Sequence, residues 1–249
     1  MKPTALSPDR HAALNAGEVA ATTLAECLAV DFAILMRSVF PDAGGQVLQA
    51  MDAAAALGIS RRMALAAELI IGRYGPEVIR HLADHPSDTV RGWACFAVGR
   101  TAPADHDLWR DAIRPFADDG HFGVREWAWL AIRDRITADI PGAIAALMPW
   151  TAEASPRLRR FASEATRPRG VWCAHLKPLK ADPTPGFALL EPLKADPETY
   201  VQDSVGNWLN DAAKDRPETV LALTGRWQTE SPCPATARIC RRGLRSIRA

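Results

Sequence analysis

Glu164 stands among arginines in the segment RRFASEATRPRGVW, residues 159–172. On a helix, Arg160, Glu164 and Arg167 follow at steps of four and three and share one face, with the acid between two cations. Clustered arginine suits phosphate, because a planar guanidinium binds two oxygens at once. A surface built only for nucleic acid would not carry the acid, which repels phosphates. Glu164 is therefore either a tether for its arginines or a group with a chemical task. By itself, an exposed ion pair with Arg160 would be worth only ~0.3–0.5 kcal/mol. A second polar stripe follows in DSVGNWLND, where Asp203, Asn207 and Asp211 are again spaced by four.

The elements that must position these groups read as helices. Ala, Leu, Arg and Glu dominate, β-branched runs are short, and prolines fall where helices would start or turn. A loop, an aliphatic-basic pair and an apolar helical stretch recur at Val90-Arg91, Val124-Arg125, Leu158-Arg159, Val201-Gln202 and Ala237-Arg238. The intervals between the pairs are 34, 34, 43 and 36 residues. Stacked helix pairs of the HEAT and armadillo kind repeat at roughly this length. The expected fold is all-α, an α-solenoid of HEAT-like repeats with a concave basic groove. It would form one domain over residues 1–249, with a helical cap at 1–70 and repeats at 71–249. The long interval is assigned to an inserted irregular loop at 168–186, which holds four prolines and two glycines. Second helices line the concave side of such solenoids, so the two polar stripes should lie side by side.

Composition narrows the partners. The formal net charge is +1, so attraction to nucleic acid must come from local clusters, here Arg157 to Arg169 and Arg238 to Arg248. Five cysteines without C-x-x-C spacing argue against a disulfide framework and a structural zinc site. His81 and His85 stand four apart but lack a third ligand, so no metal and no cofactor is expected. No apolar signal core or membrane-length run is present, which points to the cytoplasm and away from membranes. Trp93, Trp127, Trp129, Trp208 and Trp227 recur at helical spacing within apolar stretches and read as core.

RRFASEATRPRGVW and the downstream YVQDSVGNWLNDAAKDRPETV together resemble the paired signatures of the HEAT-like-repeat DNA glycosylases of the AlkC and AlkD superfamily, nearest to the AlkC branch. The second motif is the more specific, matched at Ser204, Val205, Asn207, Leu209, Asn210, Asp211, Lys214 and Pro217. Gly206 replaces the usual alanine, and Gly170-Val171 departs from the usual apolar-proline step. The likeness is clearest from about residue 85 to 225, and it leaves no room for the immunoglobulin-like carboxy-terminal domain of some AlkC members. It implies excision of cationic alkylated bases, N3-methyladenine chiefly and N3-methylcytosine second, from double-stranded DNA by a monomer. Glu164 and Asp211 would be the catalytic acids, with Glu126 one repeat back as a third. Arg160, Arg167 and Arg169 would grip phosphates, Trp172 would face the deoxyribose or the lesion, and Asn207 and Lys214 would contact DNA. The lesion would be held without a deep base-flipping pocket.

The residue types suit that chemistry independently. Alkylation puts a positive charge on the base, which can then leave without a general acid. A carboxylate stabilises the oxocarbenium-like sugar and orients water. Two readings from other classes compete: a noncatalytic DNA-binding or scaffold HEAT protein, and a protein-interaction solenoid of the lyase-associated kind.

Overall fold

The computed structural model describes residues 6–247, and Arg248 lies outside the described residues. The helices in chain order are α1 (Pro8–Ala16), α2 (Leu24–Ala29), α3 (Phe32–Val39), α4 (Gly45–Ala53), α5 (Ile59–Tyr74), α6 (Val78–Ala83), α7 (Asp88–Thr101), α8 (His106–Ala117) and α9 (Phe122–Ala131). They continue with α10 (Arg133–Ala138), α11 (Ile140–Leu147), α12 (Pro156–Ala165), α13 (Lys177–Ala181), α14 (Thr184–Leu190), α15 (Thr199–Ala213), α16 (Pro217–Glu230) and α17 (Pro234–Gly243). No strand occurs among the described residues. The all-α, HEAT-repeat expectation holds.

The helices form two compact units. The first runs up to Ala102 and adds Asp119–Ala131; the second joins Pro103–Asp118 to the chain from Ile132 onward. In the first unit α7 packs between α5 and α9, and in the second α15 packs between α12 and α17.

The recurring pair has a physical cause in each unit. Its aliphatic member turns inward: Val90, Val124, Leu158 and Val201 are all buried. Its polar member reaches back to the loop that precedes the helix. Arg91 donates to the carbonyls of His85 and Pro86, and Arg125 to those of Asp119 and Gly120. Arg159 donates to Glu153 and Ala154, and Gln202 to Asp196 and Pro197. Each pair residue thus satisfies carbonyls that would otherwise lack a donor in a turn between packed helices. The same side chains reach the following repeat, Arg91 to Asp119 at 2.9 Å and Arg159 to Asp196 at 2.6 Å. The last pair departs from the pattern, because Ala237 is exposed.

The segment at 168–186 is more ordered than expected. A turn closes where Leu176 N donates to Pro168 O at 3.0 Å; α13 and the start of α14 follow. Pro178 and Pro185 occupy the first turns of those helices, where a missing N–H costs nothing. The tryptophans read as core are buried, including Trp93, Trp127, Trp129, Trp208 and Trp227. Trp172 is exposed.

Candidate active site and nucleic-acid interface

Helix α12 starts on Ser155, whose Oγ accepts from Arg157 N, with Pro156 at the first helical turn. Leu158, Phe161, Ala162 and Ala165 bury its apolar side, Phe161 edge-on to Trp150 with ring centroids 5.1 Å apart. Its carboxy-terminal end is closed by a residue of the preceding repeat. The buried Arg133 donates to Ala165 O and Arg167 O, both at 2.6 Å, placing a cation on carbonyls that the helix leaves unpaired. Helix α15 is anchored to the same end: Trp208 Nε1 donates to Thr166 O at 3.1 Å. Gly186 of α14 leaves room for the Trp208 ring, which a side chain there would strike.

Between α12 and α15 lies a buried ion network. Arg167 Nη1 donates to Glu164 Oε1 at 2.7 Å, while Arg167 Nε and Nη2 both approach Asp211 Oδ2 at 2.9 Å. Ser204 Oγ donates to Glu164 Oε2 at 2.6 Å and itself accepts from Ser163 Oγ at 2.7 Å. Arg160 Nη2 stands 3.5 Å from Glu164 Oε2, and its guanidinium lies over the Tyr200 ring at 4.6 Å. Glu164 and Asp211 are only 3% and 4% exposed. Every oxygen of Glu164 is thus engaged. The bonds to Asp211 from described residues all fall on Oδ2, and none of them reaches Oδ1.

The two acids titrate in opposite directions. Burial pushes the Glu164 carboxyl up, but the charges of Arg160 and Arg167 and the bonds from Ser204 and Arg167 outweigh it, holding the group below the ordinary carboxylate range. For Asp211 burial prevails over Arg167, and the carboxyl is raised. Arg167 is stabilised as a cation: burial disfavours its charge, but Glu164 and Asp211 more than offset that.

The structure gives the residues singled out from the sequence specific partners. Arg167 has both its edges taken by the two carboxylates. Arg169 is held by Asp215 through Nε at 3.2 Å and Nη2 at 2.9 Å. Asn207 Oδ1 accepts from Arg242 Nε and Arg245 Nη2, each at 3.1 Å. Asp211 pairs with Arg167 and not with Lys214, which is exposed at the end of α15. Glu126 belongs to the first unit, where it is half-buried and accepts from Trp129 Nε1 at 2.8 Å. Trp172 is 46% exposed at φ +62, a left-handed conformation uncommon for a bulky residue, and it sits in the turn held by Arg133.

Sequence reasoning missed Arg133, Ser163 and Tyr200, and gave Ser204 no role. A signal for Arg133 existed, since it stands 34 residues before Arg167 at the same repeat register. No cluster of three metal-ligating side chains occurs among the described residues. Nor is any helix of the described residues long and apolar enough to cross a membrane.

Comparison with known proteins follows the same lines. The family described as HEAT repeats matches residues 75–166. The chain is similar to the uncharacterized protein YhaZ of Bacillus subtilis (strain 168), 32% identical over 124 residues, which are 50% of this chain and 34% of YhaZ. It is also similar to the structure of Pseudomonas fluorescens alkylpurine DNA glycosylase AlkC bound to DNA containing an abasic site analog. There the TM-score is 0.67 and the identity 30%, over 86% of this chain and 60% of the AlkC chain. The chain therefore spans about a third of YhaZ and three fifths of AlkC.

Proposed function

We propose that this chain, a HEAT-repeat relative of the alkylpurine DNA glycosylase AlkC in both sequence and fold, is itself a DNA glycosylase that hydrolyses the N-glycosidic bond of cationic alkylated bases. The observation that carries the reading is one guanidinium, Arg167, shared by two carboxylates on helices of successive repeats, Glu164 on α12 and Asp211 on α15. An isolated tether would need one acid.

The geometry divides the labour between the acids. A cationic base leaves with the electron pair of the glycosidic bond and becomes neutral, so no proton donor is needed. Glu164 stays ionised and fully bonded, which suits a fixed negative charge facing the oxocarbenium-like sugar. Asp211 keeps Oδ1 unclaimed and has a raised carboxyl, which suits a group that orients the attacking water and accepts its proton. Trp172 presents a flat, electron-rich face from its turn, suited to a cationic ring. N3-methyladenine is the first substrate on this reading and N3-methylcytosine the second. Selectivity comes from the lability of the lesion, and a deep pocket is not required. The protein would act as a monomer in the cytoplasm on double-stranded DNA.

A DNA-binding repeat protein without chemistry is the rival, and the near-complete burial of both acids is the observation on its side. Release of free N3-methyladenine from methylated duplex, followed by chromatography, separates the two. Wild type should release the base, while Glu164→Gln and Asp211→Asn should bind duplex and release little. A wild-type chain that binds duplex yet leaves every cationic lesion intact would overturn the glycosylase reading.

A further inference from the structure

The arginines on α17 and in the turn after it stand in an electrostatic situation unlike those at the carboxy-terminal end of α12. Arg238 and Arg242 stand four apart on one face of α17, and Arg245 follows in the turn after the helix, at the end of the second unit. Asp203 of α15 lies 2.8 Å from Arg238 Nη2 and 3.3 Å from Arg242 Nη1, but its Oδ1 makes no aligned hydrogen bond. One carboxylate thus serves two of the three guanidiniums. Arg242 and Arg245 then converge on a neutral acceptor, both 3.1 Å from the single oxygen Asn207 Oδ1. Two like charges drawn to one amide oxygen repel each other, and the amide cancels neither.

The surroundings sharpen the imbalance. Partial desolvation first, and then the charges of Arg242 and Arg167, lower the Arg245 guanidinium from its ordinary value, with Asp211 opposing them. Arg238 and Arg242 remain a third or more exposed, at 33% and 38% of their side chains. Gly206 also bears on the site. A Cβ there would come within 2.8 Å of the Arg242 side chain, so the glycine that replaces the usual alanine of this motif is what lets Arg242 lie against α15 and reach Asn207.

We infer that Arg242 and Arg245, with Arg238 beside them, form a phosphodiester-binding site whose anion takes the place between the guanidiniums that Asn207 Oδ1 now fills. A phosphate brings two anionic oxygens to two converging forks, which Asn207 cannot. The phosphate grip expected of Arg160, Arg167 and Arg169 thereby falls to a stripe in which a single carboxylate, Asp203, is shared by two guanidiniums. The inference deepens the proposed function and rests on its assignment of DNA as partner.

Duplex affinity measured against salt tests it. Wild type should weaken steeply, and the pair Arg242→Gln with Arg245→Gln should lower the slope of log affinity against log salt by about two, equally on undamaged duplex and on duplex with an abasic-site analogue. Arg242→Lys with Arg245→Lys should keep the slope. Gly206→Ala should lower it by about one, by displacing Arg242. Titration of inorganic phosphate, read from the side-chain Nε signals of arginines, should move those of Arg242 and Arg245 before those of Arg167 and Arg169. An unchanged slope in the Gln pair, with wild type binding duplex, overturns the site and leaves the glycosylase reading standing. Phosphate shifts at Arg242 and Arg245 in a chain that binds no duplex would retain the anion site and overturn DNA as its partner. Neither shifts nor binding would overturn both.

Discussion

The arginines at the carboxy-terminal ends of α12 and α17 flank the same helix, α15, and do opposite work. Arg160 and Arg167 are 13% and 11% exposed and surround Glu164, with Arg167 closed between two acids. Arg242 is three times as exposed and meets an amide and one carboxylate that it shares with Arg238. Density of arginine alone therefore says little about phosphate. The number of carboxylates within reach decides whether a guanidinium holds the protein's own acids or remains available to a foreign anion. In this chain the catalytic candidates sit with the satisfied stripe, and the unsatisfied one lies a helix away.

Removing Arg167 breaks that comparison most severely. Arg167→Ala would strand the buried Asp211 and leave Glu164 to Arg160 and Ser204 alone, and loss of one partner from a buried ion pair costs about 3–5 kcal/mol. Thermal and denaturant unfolding should show a loss of that size, hardly relieved by salt. Arg167→Lys should rescue little, because an ammonium cannot reproduce the fork that spans Glu164 and Asp211. A variant of wild-type stability would mean that the two acids do not depend on the guanidinium.

Asp211→Asn comes next. It keeps the shape of the side chain but removes the acceptor with the open oxygen, and the rate of base release should fall by about 10²–10⁴-fold. Arg167 keeps Glu164, so the loss of stability should be smaller than in Arg167→Ala. Equal losses of rate and of duplex affinity would instead assign Asp211 to binding.

The fold was the more legible part of the sequence. The aliphatic-basic pair marks each repeat because Arg91, Arg125, Arg159 and Gln202 share one local task, which fixes both residue type and position. Local tasks leave periodic traces. The irregular reading of 168–186 holds up to residue 176 and gives way to α13 and α14 beyond it, because Pro178 and Pro185 stand at first helical turns, where proline marks a beginning. The site was half legible. The i, i+4 arithmetic put Arg160, Glu164 and Arg167 on one face, as observed. Nothing local shows that Arg167 reaches Asp211, 44 residues on, or that a polar stripe is buried and bonded. Arg159 also looked like part of the basic cluster, yet its guanidinium is spent on two carbonyls and Asp196.

Ser204→Ala probes the satisfied side more gently. It removes a 2.6 Å hydrogen bond to an ionised carboxylate, a contact worth about 1.5–3 kcal/mol. The sign of its pH dependence is definite. Glu164 is held below its unfolded value, so its contribution is present above the ordinary carboxylate range and lost as pH falls through the folded pKa. Loss of the Ser204 bond raises that folded pKa, moving the acid-side loss of stability to higher pH. Asp211 runs the other way: its folded pKa is raised, so its contribution declines as pH rises from the ordinary carboxylate range through that raised value. Carboxyl-carbon titration by NMR should show Glu164 moving in Ser204→Ala, and an unmoved Glu164 would reduce Ser204 to packing.

The smallest effect is expected just past α17, and its sign is the informative part. Arg245→Gln gives up bonds to Arg242 O at 2.7 Å and Asn207 Oδ1 at 3.1 Å, but it also removes a cation crowded against Arg242. The terms oppose each other at an exposed position, so stability in low salt should stay within about 0.5 kcal/mol of wild type. Added phosphate should then separate the two proteins, because an anion that binds only the folded chain raises its melting temperature. Wild type should gain, and Arg245→Gln should gain less. A loss above about 1 kcal/mol without phosphate would show that Arg245 is built into the fold as Arg167 is, and the contrast between the two stripes would collapse.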